Sequence, residues 1–376
     1  MYDFDQAFVN EARWQGNKWG RCQNGEIPMF VAVMDFMVPP PIIDALKERL
    51  TFPSFGYDNS LGALDELPGH YMRKYGLTVE RDWILNVLSV MPGVTIAART
   101  AGGEIMYCTP MYTHIRKTPK EAGLAGHEVP LKWENGRYTF DFEAMERAWT
   151  PAIKSFILCN PHNPIGRVYT REELTALVRW CKSHDMLLIA DEIHCEFIFE
   201  GEHIPAFSIC EEARDITITV SSPNKICNMP RIPMAYVIIP NDELRARFFE
   251  ETHAVFGRGE ALNAAAFRAA YNGSCDVWKG ELMEYLRANR DYTEQRIAAI
   301  PELSVLHNEG TYLAWVDCRK LGLDDPKQFF VDQAKVMPSG GADFGDGQCI
   351  RLNFGCPRGQ LAQALDRMEQ AIAARR

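Results

Sequence analysis

Short apolar runs alternate with segments of helical spacing through the first two-thirds of the chain. Residues 83–88, 104–108, 154–159, 186–190, 216–220 and 234–239 read as strands, since each is a short and largely apolar stretch. Residues 42–50, 64–75 and 172–184 carry helical periodicity. Ser89 to Thr95 leads from the first of these strands through a glycine turn into a small-residue helix start, Ile96-Ala97-Ala98. Strands alternating with helices predict an α/β fold with a mainly parallel sheet. The pattern changes near residue 241. Helical stretches over 242–270 and 278–300 precede strands at 303–306, 312–316 and 349–354 and a closing helix at 361–375, which predicts a smaller α+β domain. Near the start, residues 28–36 are apolar and run into Pro39-Pro40-Pro41. Prolines stop a helix, so this segment is expected to be an extended arm on the smaller domain. The expected division is an arm over 1–45 belonging to the small domain, a large domain over 46–260, and a C-terminal α+β domain over 261–376.

A chain of 376 residues is too long for one ordinary core and suits two domains. A net charge of −10 with no basic run argues against nucleic acid and anionic membrane as partners. None of the 11 cysteines forms a Cys-x-x-Cys pair, and several, such as Cys159 and Cys195, lie in apolar runs. They read as reduced, buried thiols, not as disulfides or a metal site. The acidic start Met1-Tyr2-Asp3-Phe4-Asp5 has no signal-peptide pattern, and no apolar run is long enough to span a bilayer. The expectation is a cytoplasmic protein.

In such sheets ligands sit beyond the carboxyl ends of the strands. Residues 216–220 deliver Ser222-Pro223-Asn224-Lys225, residues 154–159 deliver Asn160-Pro161-His162-Asn163-Pro164-Ile165-Gly166, and residues 186–190 deliver Asp191-Glu192-Ile193-His194. A hydroxyl and an amine at a strand end suit a phosphorylated aldehyde: one bonds the phosphate, the other the carbonyl carbon. Each residue alone has a plainer reading. Lys225 is then a solvated lysine, Asp191 a helix cap or surface acid, and Asn163 a turn residue between prolines. The strand, glycine turn and helix start around Gly93 make an anion site in principle, or simply a connection. Tyr57 and Tyr112 are, in isolation, packing aromatics.

Together these segments resemble the pyridoxal 5′-phosphate (PLP) site of fold-type I enzymes, the class I/II aminotransferase family. Within it the chain looks most like the cystathionine β-lyase-type C–S lyases of the MalY/PatB branch. The resemblance rests on residues 28–36, Gly56-Tyr57, residues 87–94, the run Asn-Pro-His-Asn-Pro-Ile-Gly-Arg-Val from Asn160, the run Asp-Glu-Ile-His-Cys-Glu-Phe from Asp191, Ser222 to Lys225, and Arg351 to Arg358. It implies a large domain with a mainly parallel seven-stranded sheet, a small α+β domain, and a homodimer with shared active sites. Lys225 would hold PLP covalently and then act as base at the substrate's Cα. Asp191 would keep the pyridine nitrogen protonated. Asn163 would donate to the ring's phenolic oxygen, and Tyr112 would stack on the ring. Gly93, Val94 and Ser222 would bind the phosphate, and Tyr57 would reach the phosphate of the neighbouring subunit. His194 lies near the ring, where a buried structural histidine reads as well as a catalytic one. Arg351 is the candidate for the substrate α-carboxylate, because its planar fork matches a carboxylate bidentately.

The chain departs from the branch at Val33, where aspartate is usual, at Phe30, where tryptophan is usual, and at Asn224, where serine is usual. The turn from Asn228 to Pro233 replaces a glycine-containing one, and its Arg231 either adds charge near the phosphate or is solvated. The activity implied is α,β-elimination from cystathionine or another cysteine S-conjugate to a thiol, pyruvate and ammonia. An aminotransferase would use the same residues and return the proton to the cofactor. A regulatory binding protein on this fold is the alternative of another class, and intact Lys225, Asp191 and Asn163 argue against a purely non-catalytic one.

Overall fold

The computed structural model describes residues 1–6, 16, 18–22, 25–54, 60–253 and 260–375. A seven-stranded sheet runs in the order Ile84–Val87, Ala235–Ile238, Thr217–Ser221, Leu187–Asp191, Ile153–Cys159, Glu104–Thr109, Gly126–Pro130. Ala235–Ile238 is antiparallel to both neighbours, and the remaining pairs are parallel. Alternate residues of a strand face opposite sides. Phe156, Leu158 and Leu188 therefore meet Leu174, Leu177 and Val178 of the helix Arg171–Ser183 on one side. On the other, Ile157, Ile189 and Ile218 meet Val94, Ala97 and Ala98 of the helix Val90–Ala101. Burial on both faces makes the inner strands continuous apolar runs.

A second sheet has the order Ile27–Met29, Val336–Gly340, Cys349–Asn353, Leu313–Asp317, Ser304–Val305. The N-terminal arm is part of it: Ile27–Met29 pairs in parallel with Val336–Gly340. Leu282 and Leu286 of the helix Asp276–Ala298 and Leu361 and Leu365 of the helix Arg358–Ala373 share one core with Leu313, Ile350 and Leu352.

Several elements differ from expectation. The arm is non-helical up to Pro39 as expected, but the helix expected over 42–50 starts two residues earlier, on the prolines: Pro40–Thr51 is helical, with proline in its first turn. A first-turn residue has no intrahelical acceptor for its N–H, so proline loses nothing there. The helix expected over 242–270 is described as two, Asp242–His253 and Ala261–Tyr271. Val336–Gly340 carries Pro338 and Gly340 and does not read as a strand by composition; pairing on both sides makes it one. The hairpin Lys132–Glu134 with Arg137–Thr139 has no buried face and hence no apolar pattern to read.

Candidate active site

Asn163, Asp191 and Lys225 meet because the strands before them are adjacent, parallel and end at one edge. Arg351 enters from the other sheet, on Cys349–Asn353. A cavity of about 150 Å³ between the sheets gathers Tyr112, Asn163, Asp191, His194, Lys225 and Arg351 against apolar Val31, Val90, Met91 and Ile193. These polar residues, drawn from segments far apart in the chain, are the ones the sequence singles out.

Their electrostatics are set by burial. Desolvation raises the Asp191 carboxyl to about 7, opposed by the Ile193 N–H on its Oδ1 (3.1 Å) and by the charge of Lys225. Desolvation and then the Arg351 charge bring the Lys225 amine down to about 8, with Asp191 opposing. Arg351 is lowered to about 10 by the same burial. Its Nη1 donates to Asn163 Oδ1 at 2.9 Å, and its Nη2 to Ser339 Oγ at 3.2 Å and the Phe30 oxygen at 3.3 Å. The guanidinium also lies 4.6 Å from the centre of the Phe344 ring. With Asn163 Oδ1 committed to Arg351, the amide's N–H groups are left to donate to a ligand. Burial holds His194 well below the ordinary imidazole value, hence neutral, and its Nδ1 has no partner among the described residues. Tyr112 lines the cavity just before the helix Thr113–Ala122, its phenol raised to about 12 by burial.

Gly93 and Val94, expected at the anion-binding end, do not line the cavity; Val90 and Met91, three residues upstream, do. Gly93 N–H already donates to the Ser89 oxygen at 3.1 Å, and Val94 is fully buried in the apolar core. Gly93 is there for packing: a Cβ would come within 3.0 Å of Val220 and 3.1 Å of Val87. A helix leaves its first N–H groups without intrahelical acceptors, and the Ser89 side chain caps none of them. Val90 and Met91, in that first turn, are the ones that line the cavity. Ser222 Oγ donates to the Met234 oxygen (2.8 Å) and accepts from Asn224 N–H (3.2 Å), so its hydroxyl holds the turn before Lys225. Arg231 is exposed and does not line the cavity. Tyr57 lies outside the described residues.

The most specific motifs divide their labour. In the run from Asp191, Asp191 and His194 face the cavity. Glu192 instead pairs with His203 Nε2 at 3.0 Å and accepts Ala206 N–H, and Glu196 pairs with Lys279 at 3.1 Å. In the run from Asn160, Arg167 is buried between Glu173 and Glu309. Gly166 adopts φ +69, open to glycine, with Asn308 Nδ2 only 2.7 Å from where a Cβ would be. His162 bridges the Pro110 oxygen and the Tyr169 hydroxyl, positioning the turn that carries Tyr112. These are structural roles that the sequence does not separate from the chemical ones.

The donor set fits PLP. It has an amine of reduced proton affinity, a buried carboxylate, an amide whose oxygen is already committed to Arg351, and the first turn of a helix, all on one cavity. Buried Arg351 Nε and His194 Nδ1 are also unpartnered among the described residues. Residues 68–368 match the family described as aminotransferase class I and II. The chain is 31% identical to cystathionine beta-lyase PatB of Bacillus subtilis, covering 92% of each chain. The crystal structure of OvoB superposes with a TM-score of 0.94 at 34% identity, covering 99% of this chain and 100% of that one. The PLP-bound C–S lyase from Staphylococcus hominis superposes with a TM-score of 0.90 at 27% identity over 99% of both chains. The chain belongs to the class I and II aminotransferase family, on the branch that includes cystathionine β-lyase PatB.

Proposed function

We propose that this protein is a PLP-dependent C–S lyase that cleaves cystathionine or other cysteine S-conjugates by α,β-elimination. The observation that carries the reading is one cavity holding Lys225 with its amine lowered to about 8, Asp191 beside it, and the Arg351 fork. The names of the similar PatB and Staphylococcus hominis proteins support the reaction type and the cofactor.

PLP, when bound, supplies a carbonyl for the substrate amine and a ring that accepts the electron pair released at Cα. Lys225 would hold it, with Asp191, Asn163, Tyr112, His194 and the N–H groups of Val90 and Met91 as further contacts. An amine lowered to about 8 is partly unprotonated near neutral pH, unlike an ordinary lysine at 10.5, so Lys225 is able to take the Cα proton. Arg351 exchanges its contacts with Asn163, Ser339 and Phe30 for the substrate's carboxylate and so orients Cα towards Lys225. Asp191 would be the residue to hold the pyridine nitrogen's proton, and that cationic partner would keep it a carboxylate, below the value of about 7 that burial gives it here. Val31, Ile193 and the arm limit water access, which strengthens each charge interaction. With the Cα proton on Lys225, a thiolate leaves from Cβ and hydrolysis of the remainder gives pyruvate and ammonia.

The working assembly is taken to be a homodimer with shared sites, which Tyr57 would complete. Exposed apolar Met37 on the arm, Leu50 on the helix Pro40–Thr51 and Phe52 just after it support a covering partner. The division at residues 45 and 260 is supported by the strands alone: those before 45 and after 260 belong to the second sheet, while residue 45 itself falls within the helix Pro40–Thr51. Cytoplasmic location is supported by 11 cysteines that are all free thiols. Among the described residues no helix is long and apolar enough to cross a membrane. The deciding experiment supplies cystathionine and measures products. Pyruvate, free thiol and ammonia in equal amounts, without dependence on 2-oxoglutarate, are expected. Product that appears only with a keto acid, with its amino acid accumulating, would make the protein an aminotransferase.

A further inference from the structure

The Lys225 amine is anchored in this structure by the main chain of the N-terminal arm. Its Nζ donates to the Ala32 oxygen at 2.6 Å, and that same oxygen accepts the Tyr312 hydroxyl at 2.8 Å. Ala32 sits at the apex of a tight turn closed by Val33 N–H on the Val31 oxygen (2.8 Å). The side-chain amide of Asn353 donates to the oxygens on either side of it, Val31 at 2.7 Å and Val33 at 2.8 Å. Asn228, three residues past Lys225, donates to the Met34 and Phe36 oxygens at 2.9 and 2.8 Å and accepts Met34 N–H at 2.9 Å. Its φ of +52 is one that asparagine tolerates. The turn that carries the lysine therefore also grips the arm that receives it.

A carbonyl oxygen has two lone pairs. Lys225 takes one only while its amine is free, whereas Tyr312 is able to hold the other throughout. Ala32 is 7% exposed and lines the cavity that PLP would fill, and Tyr312 is 0% exposed, so with the cofactor in place water is a poor substitute at this oxygen. We infer that the Ala32 oxygen is the resting point of the free Lys225 amine, and that Tyr312 is a positioning residue keeping that buried oxygen bonded whenever the lysine leaves it for the cofactor. The inference rests on the reading of Lys225 as the residue that holds PLP.

The sign of the effect follows. In Tyr312→Phe the Ala32 oxygen is still bonded while Lys225 is free, but it is orphaned once the lysine is joined to PLP. PLP binding is therefore weakened roughly 5- to 10-fold, the worth of one lost hydrogen bond at a buried carbonyl. In a Lys225→Ala background the oxygen has no lysine partner with or without PLP, so the phenol's loss shifts neither side. The test titrates PLP into the cofactor-free full chain as wild type, Y312F, K225A and Y312F/K225A, following protein fluorescence. The expected result is weaker binding by Y312F in the wild-type background and a change under about twofold in the K225A background. Equal weakening in both backgrounds, or none in the wild-type one, overturns the inference. Wild-type-like PLP affinity and visible spectrum in K225A would instead overturn the reading of Lys225 itself. Crystals of wild-type protein with and without PLP give a check that needs no variant. The Ala32 oxygen should carry both Lys225 Nζ and Tyr312 without PLP, and Tyr312 alone with it; Nζ away from Ala32 in the PLP-free crystal overturns the inference.

Discussion

Replacing Lys225 by methionine should abolish turnover and yet stabilise the cofactor-free protein. Methionine keeps the length and apolar character of the stem and removes the charge. Burial and Arg351 lower the lysine from 10.5 to about 8 in the folded chain. A lowered lysine holds its proton less tightly folded than unfolded, so the fold bears the full penalty below about pH 8. The penalty fades as pH rises and is gone above the unfolded value of 10.5. At neutral pH it amounts to about 3 kcal/mol, at about 1.4 kcal/mol for each tenfold change in proton affinity. Losing the bond to Ala32 returns about 1 kcal/mol of it, and Asp191 loses its neighbouring cation. A net gain of about 1–2 kcal/mol is expected near pH 7, shrinking to nothing or reversing towards pH 10.5. Urea unfolding of both PLP-free proteins at the two pH values measures it. Turnover of cystathionine should fall at least ~10³-fold, about 4 kcal/mol of barrier, since the covalent holder and the Cα base go together. A variant no more stable than wild type near pH 7, or with the same advantage at both pH values, would refute the claim that Lys225 is held at an electrostatic cost. Near-normal turnover would mean that another residue is the base.

Asp191→Ala should bind PLP weakly and react slowly, because the pyridine nitrogen loses the carboxylate that keeps its proton; PLP titration and cystathionine kinetics check this, and unchanged values contradict the assignment. Arg351→Lys should lower kcat/KM for cystathionine by roughly 10²-fold or more, as two charge-assisted bonds cannot be rebuilt by one ammonium, while PLP affinity stays within about twofold. Loss of PLP binding in place of substrate use would move Arg351 to another role. Lys279→Met leaves Glu196 charged and buried without its closest partner, a loss of about 3–5 kcal/mol by urea unfolding at neutral pH. The Lys279 charge and then Lys74 hold Glu196 down at about 2 against desolvation, so the pair's stability is present above the usual 4.5 and lost as pH falls through about 2. The variant should lack that share of the acid dependence, and an acid profile matching wild type would show that the pair contributes nothing.

The inner strands were legible because burial on both faces makes them continuous apolar runs, and parallel order follows from the helices between them. The same logic brought Asn163, Asp191 and Lys225 together, since adjacent parallel strands end at one edge. The family resemblance points to Gly93 and Val94 for the anion-binding end, and the sequence shows a glycine turn there. Where the helix's hydrogen bonds begin is not visible, and the Gly93 N–H is already spent on Ser89. Composition likewise cannot separate Asp191 and His194 from Glu192 and Glu196, which occupy one run. The turn after Leu187–Asp191 sends the first two into the cavity and gives the others to His203 and Lys279. Ser222 turns to the Met234 oxygen, a contact made across 12 residues and fixed by the path of the chain after Lys225. Arg351 joins Asn163 across 188 residues and Ala32 joins Lys225 across 193. The residue types able to do the chemistry, and the strands that deliver most of them, were properties of the sequence. Which atoms face one another was decided by packing the second sheet and its arm over the strand ends of the first, because hydrogen bonds across that junction depend on geometry that no local pattern encodes.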